Sequence, residues 1–401
     1  MHTTFEPAVE EFRIEVREYL RAAMAPERTR HHADPLDLTG LDEEFERALH
    51  RDAGAHGYLA LTFPVEYGGR ARSSAYRAAF SLEAAAFDAP LIDTALTLGG
   101  APILAYGSDE QRAALLPAMA RGEVTLCIAY SEAEAGSDLT GIATTARPDG
   151  DGPDAGWRLD GTKVLVTGAH KADWCLLVAR TDPDPEARRR DAMTMFLVST
   201  DSPGVSVRRT RTANDWTLGD IVFDDVRVPA SAVLGTVGRG FAQMAAAIAD
   251  ERSGFFWVGW AQRRLDDLVA LVRGDERATP AEHRLARDTV ARLWIDVALA
   301  HALAQRVVAA QDAGQDSTVL ASMSKVFVTE LLQRIASAGV ALLGPRGLVT
   351  APLFGPDDPD AAFHGRFAYE VIERLHPTIS VGSNQIQRDV IAHRGLGLPV
   401  Q

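Results

Sequence analysis

Residues 240–268 read GFAQMAAAIADERSGFFWVGWAQRRLDDL, and the organisation of the chain turns on this stretch. It has no proline and carries apolar residues at helical spacing, which predicts one long helix. On that helix Met244, Ile248, Glu251, Phe255, Val258 and Gln262 share a face. A carboxylate therefore stands in a largely apolar stripe. Burial disfavours the charged form of a carboxyl group, which is how a weak base becomes useful near neutral pH. Two readings are open. Glu251 is such a base, with Arg252 holding or counterbalancing it, or it is an ordinary surface charge paired with Arg252 or Arg263.

The pattern differs on the two sides of this helix. Upstream, residues 124–234 alternate short apolar runs with Gly, Asp and Pro turns. Strands are expected at 125–131, 143–148, 157–161, 163–167, 174–181, 193–199, 205–211 and 221–226, with a short run before Pro229. That spacing predicts a compact β-barrel or sandwich. Downstream, residues 240–272, 280–313 and 317–344 are long and amphipathic and predict an antiparallel bundle. A Pro- and Asp-rich break at 352–360 precedes a last helical region. Residues up to about 121 read as helices joined by loops, at 11–22, 41–57 and 73–88, with Asp109 as the N-cap of another. The segment 59–69 reads as extended, 28–35 as a loop and 183–190 as a charged, exposed loop. The expected fold is α+β and multidomain: a helical domain over 1–122, a β-barrel over 123–236 and a helical bundle over 237–401.

Composition narrows the classes of function. The 401 residues suffice for two or three domains, and 46% hydrophobic with 24% charged residues is ordinary for a globular protein. A net charge of −14 argues against nucleic acid or an anionic membrane as partner. The two cysteines, Cys127 and Cys175, lie in apolar runs without metal-ligand spacing, so no metal site is expected. The N-terminus shows no secretory pattern, and no apolar run approaches the length needed to span a bilayer. A cytoplasmic protein is the expectation.

The densest motif is YSEAEAGSDL at residues 130–139, a strand end followed by a loop of small and polar residues. Such a loop presents hydroxyls and backbone amides to a heteroaromatic ligand or to phosphates, or it is a hairpin loop of Asx and Ser turns. With LTFPVEYGG, LDGTKVLVT, KADWCLLVART, FDDVRVP, GRGFAQ and QIQRDVIAHRGLGLP around it in this order, the chain resembles the acyl-CoA dehydrogenase family over essentially its whole length.

The resemblance implies a helical domain, a central β-barrel and a C-terminal four-helix bundle. It implies a flavin enzyme that desaturates an acyl thioester, with FAD passing electrons to an electron-transferring flavoprotein. By motif position, Tyr130, Ser131, Gly136 and Ser137 would edge the flavin and thioester. Leu165 and Thr167 would contact the isoalloxazine, and Gln385 would lie near the flavin. In most members the base is a Glu just before the Gly of the C-terminal motif, and here Val381 precedes Gly382. A minority carries the base in a Glu-Arg pair on a bundle helix, and Glu251-Arg252 resembles that pair. The carbonyl would then be held by the backbone N–H of Val381. Phe255, if it lines the acyl pocket, would shorten it.

Other positions depart from the family pattern. Its Arg-x-x-Phe-Gly segment is replaced by residues 272–278, VRGDERA, and its FAD-binding Gln position holds Ala341, with Pro345 in the Gly pair. The flavin-stacking position, usually aromatic, is Leu165. The expected substrate is an acyl-CoA or acyl-carrier-protein thioester, and the expected assembly a homo-oligomer or a mixed oligomer with a homologous subunit. A catalytically reduced partner subunit and a flavin monooxygenase on the same fold are the alternatives.

Overall fold

The computed structural model of the chain describes residues 5–25, 41–91, 95–152, 155–182, 191–213, 217–251, 254–274, 280–354 and 358–399. For residues 247–251, 280 and 281 it describes the backbone alone. The loop expected at 28–35, the charged excursion at 183–190 and Arg252 lie outside the described residues.

The helices of the first part are α1 (Pro7–Ala23), α2 (Glu43–Ala55), α3 (Ser74–Ala86), α4 (Ala101–Tyr106) and α5 (Asp109–Ala120). The central strands are β1 (Leu126–Ala129), β2 (Thr145–Asp149), β3 (Gly156–Thr167), β4 (Trp174–Arg180), β5 (Met193–Ser199), β6 (Val205–Arg211), β7 (Thr217–Val228) and β8 (Val233–Leu234). The last part holds α6 (Gly240–Glu251), α7 (Phe255–Gly274), α8 (Pro280–Asp312), α9 (Thr318–Leu343), α10 (Arg366–Glu373), α11 (His376–Ile379) and α12 (Asn384–Val390). Helical, sheet and helical parts therefore follow one another as the sequence pattern predicts.

The chain forms two compact units that do not follow this order. One comprises Met1–Leu49, Arg72–Ile92 and Arg252–Gln401, and the other His50–Ala71 and Asp93–Glu251. In the second, the strands are ordered β6-β7-β3-β2-β4-β5-β8, with β1 pairing β4 in parallel. The step from β2 to β4 is the single pair Thr145 and Arg180. The two strands expected at 157–161 and 163–167 are one, β3, whose pairing with β7 shifts register twice, between Leu159 and Gly161 and between Lys163 and Val166. The short run expected before Pro229 is the end of β7.

In the helical unit α7 lies against α3 so closely that a Cβ on Gly259 would come within 2.6 Å of the Ala85 Cβ and 2.9 Å of the Leu82 carbonyl oxygen. Arg264 on α7 is buried and bonds Asp88 at 2.5 Å and Asp267 at 2.9 Å. Burial alone would raise the Asp88 carboxyl, but the charges of Arg264 and Arg366 outweigh it and hold Asp88 at about 2.

Four sequence expectations are corrected. Residues 240–268 are two helices, because α6 ends at Glu251 and α7 begins at Phe255, with Gly254 at φ 74°. The shared apolar face fails with it: Met244 packs in the core of the sheet unit, Phe255 and Val258 in that of the helical unit. Gly254 is left-handed directly before α7, and the Ala-rich run of α6 masked the break. The segment 59–69 is not a strand but turns and a short 3₁₀ helix, Val65–Tyr67. The N-cap of α5 is Ser108, whose side chain and that of Gln111 complete a reciprocal capping box, and Asp109 is the first helical residue. Finally, α8 and α9 do contain segments long and apolar enough, by length and composition alone, to cross a membrane. In the bundle that apolarity goes into packing, with Val297, Ala300, Val328 and Leu332 in the core.

Candidate functional site

In the sheet unit the site is built on the loop after β1. Tyr130 is buried, and desolvation pushes its phenol well above the usual value. The next carboxylate, Glu132, turns inward. It accepts the amides of Ala143 at 2.6 Å and Thr144 at 3.0 Å and the Lys163 ammonium at 2.8 Å. Lys163 is fully buried and also donates to the Tyr130 carbonyl oxygen at 3.1 Å. Burial alone would raise the Glu132 carboxyl, but the charge and hydrogen bond of Lys163, with Thr144 and the Ala143 amide, hold it below its ordinary value. Desolvation draws the Lys163 ammonium down, against the pull of Glu132. The motif loop is thus tied from below to β3, and Val164 N–H donates to the Ser131 carbonyl oxygen at 3.0 Å.

The next residue on β3 is Leu165. It lies within the second register shift, at φ 56°, and is 58% exposed. A bulge re-aims a side chain out of the alternating pattern, and a bulky residue at positive φ persists only where its surroundings fix it. Here Asp220 fixes it. It accepts the Leu165 amide at 3.1 Å, the Arg208 guanidinium at 2.8 Å and the Thr210 hydroxyl at 3.0 Å. Burial would raise Asp220, and these donors lower it below the usual carboxylate range. Thr167, Gly136 and Ser137 are exposed, and nothing lies within 4 Å of where a Gly136 Cβ would stand. The structure therefore brings Tyr130, Ser131 and Leu165 together on one scaffold and leaves Gly136, Ser137 and Thr167 open to solvent.

In the helical unit a second constellation surrounds Val381 and Gly382. Both have positive φ, 54° and 77°, and for a β-branched residue that is a strained backbone. Among the described residues, neither amide N–H donates to a protein acceptor. The Gly382 carbonyl oxygen, by contrast, accepts Lys325 Nζ at 3.0 Å and Gln387 Nε2 at 3.1 Å. Lys325 Nζ also bonds Asn384 Oδ1 at 2.8 Å, and Ser322 donates to Gln387 Oε1 at 2.8 Å. Gln385 is exposed on the first turn of α12. Phe255 is fully buried in the helical core, its ring centroid 5.9 Å from that of Phe5. Glu251 is the last residue of α6, and its side chain lies outside the description.

Sequence reasoning missed Glu132, Lys163, Asp220, Lys325, Asn384 and Gln387. A faint signal existed for two of these positions. Lys163 interrupts the apolar run of a strand, and Ser322, Lys325 and Thr329 recur at helical spacing on a helix otherwise rich in apolar residues.

Sequence profiles of the acyl-CoA dehydrogenase N-terminal, middle and C-terminal domains match residues 6–123, 127–226 and 238–396. The acyl-CoA dehydrogenase IpdE1 of Mycobacterium tuberculosis is 33% identical over 410 residues, covering 98% of each chain. A solved structure titled Tcur3481-Tcur3483 steroid ACAD is 26% identical, covers 100% of each chain and superimposes with a TM-score of 0.86. The ChsE4-ChsE5 complex from Mycobacterium tuberculosis is 27% identical with the same coverage and TM-score. The chain belongs to the acyl-CoA dehydrogenase family and is a flavoenzyme of that type.

Proposed function

We propose that the chain is an FAD-dependent dehydrogenase that introduces an α,β double bond into an acyl thioester. The observation that carries this reading is the Val381–Gly382 turn, whose two amide donors meet no acceptor among the described residues while the carbonyl beside them is held from within. Such donors suit a thioester oxygen that gains negative charge as the α-proton leaves. Glu251 takes that proton, since Val381 stands where most of the family has its acid. Arg252 steadies the Glu251 carboxylate.

The residues of the sheet unit fit a flavin. Leu165 offers an exposed apolar side chain, Ser137 and Thr167 offer exposed hydroxyls, and Gly136 leaves its side open. When bound there, FAD supplies the acceptor for the β-hydride. The similarity to a protein titled as a steroid ACAD supports a bulky, ring-bearing acyl group, and the names of the relatives support CoA as its carrier. An electron-transferring flavoprotein is the proposed electron acceptor.

A mixed assembly with a homologous subunit is the second reading. Two observations favour it: solved relatives are titled as two-component proteins, and α8 exposes Leu285, Trp294, Ile295 and Leu299. A groove of about 740 Å³ adjoins them between α7 and α8.

The test is the visible spectrum of the purified protein under anaerobic conditions. A flavin spectrum that bleaches on addition of a CoA thioester supports the dehydrogenase reading. A protein that binds no FAD alone, but does so with a homologous chain, moves the activity to the mixed assembly.

A further inference from the structure

Most buried residues of α9 are apolar, yet Ser322, Ser324, Lys325 and Thr329 are buried too. Lys325 is the costly one. Taking an ammonium out of water costs several kcal/mol, to be recovered through hydrogen bonds and opposing charge. Its Nζ reaches the Gly382 carbonyl oxygen at 3.0 Å and Asn384 Oδ1 at 2.8 Å. Asn384 in turn donates to the Thr329 hydroxyl at 3.2 Å and to Glu330 Oε1 at 3.1 Å. These bonds converge on the turn that carries the strained Val381. A neutral amide already serves the same carbonyl, because Gln387 donates to it at 3.1 Å. What Lys325 adds beyond that clamp is a buried basic group on the carbonyl that follows the two amides, which meet no acceptor among the described residues.

We propose that Lys325 is a positioning residue for the dehydrogenation. It fixes the Val381–Gly382 turn with its amides free, and its charge favours a negative oxygen in front of them. This rests on the reading that those amides bind the thioester carbonyl. A merely structural lysine would set the stability of the bundle and nothing more.

The experiment compares the wild-type protein with Lys325→Met, which keeps the length of the side chain and removes its charge and donors. Lys325→Gln, a neutral donor, serves if the methionine variant does not fold. The probes are butyryl-, octanoyl- and cholyl-CoA labelled with ¹³C at the thioester carbonyl. The readouts are the infrared stretch of the bound carbonyl, kcat and KM, and the thermal midpoint. The expected result is a stretch lowered in the wild type and returned toward its solution frequency in the variant. With it kcat falls roughly 10- to 100-fold while KM changes less than about threefold. A stretch lowered equally in both proteins, with only the thermal midpoint changed, overturns the role of Lys325 alone. If the wild type lowers the stretch of none of the probes, the reading of the amides falls and the inference with it.

Discussion

Leu165 and Val381 present the same problem in two regions, and the protein solves it in opposite ways. Each is a bulky residue at positive φ, 56° and 54°, next to residues with candidate roles in binding. In the sheet unit the scaffold around Leu165 is held by carboxylates, with Asp220 accepting the Leu165 amide and Glu132 accepting two amides and Lys163. In the helical unit the turn at Val381 is held by donors, Lys325 and Gln387, acting on a carbonyl. An acceptor clamp uses up amides, and a donor clamp leaves them available. The difference matches the proposed roles. Leu165 has to present a side chain, so its amide can be spent. Val381 has to present its amide, so the turn is held at its carbonyls, its own by Gln387 at 3.5 Å and that of Gly382 by Lys325 and Gln387.

The comparison is most easily broken at Glu132. Replacing it with alanine strands the buried Lys163 charge and the Ala143 and Thr144 amides. Losing one partner of a buried pair costs about 3–5 kcal/mol, so Glu132→Ala should lower the unfolding free energy in denaturant by that order. A loss below about 1 kcal/mol would show that the motif loop is not held this way.

A smaller effect separates the two clamps by pH. Glu132 and Asp220 have carboxyl pKa values depressed in the folded state. Their stabilisation is complete above the unfolded carboxylate value, near about 4, and is lost as pH falls through the lower folded values. The side chains that hold the Gly382 carbonyl oxygen, Lys325 and Gln387, include no carboxylate. Hydrogen exchange should therefore show the Leu165 amide losing protection as pH falls below about 4, while the Gln387 amide, bonded to the Ser383 carbonyl oxygen, keeps more of its own. Equal losses at both amides would mean that the two regions open together and are not held by different chemistry.

Much of the architecture was legible because it rests on periodicity. The continuous apolar runs of β4 and β5, the alternating run of β6 and the long amphipathic α8 and α9 lie close to where the pattern puts them. What escaped depends on local backbone or on long-range pairing. The break between α6 and α7 shows in the described residues at the left-handed Gly254, directly before α7 and after the Ala-rich α6. The bulge at Leu165 depends on Asp220, which is 55 residues away in the chain. The pairs Glu132 with Lys163 and Lys325 with Asn384 span 31 and 59 residues, and no spacing rule links such partners. Glu251, Arg252 and the loop at 130–139 stood out from the pattern itself, and their roles came from motif resemblance. The structure adds which groups hold them and which amides they leave free.

The central claim is that Glu251 removes the α-proton of a thioester whose carbonyl the Val381 turn holds. The most direct measurement is exchange of the α-proton of a bound CoA thioester into deuterated water, by the wild type and by Glu251→Gln, with the flavin content of each recorded. The account predicts exchange in the wild type and its loss in the variant, with flavin retained in both. Undiminished exchange in Glu251→Gln would contradict it and place the base elsewhere in the chain.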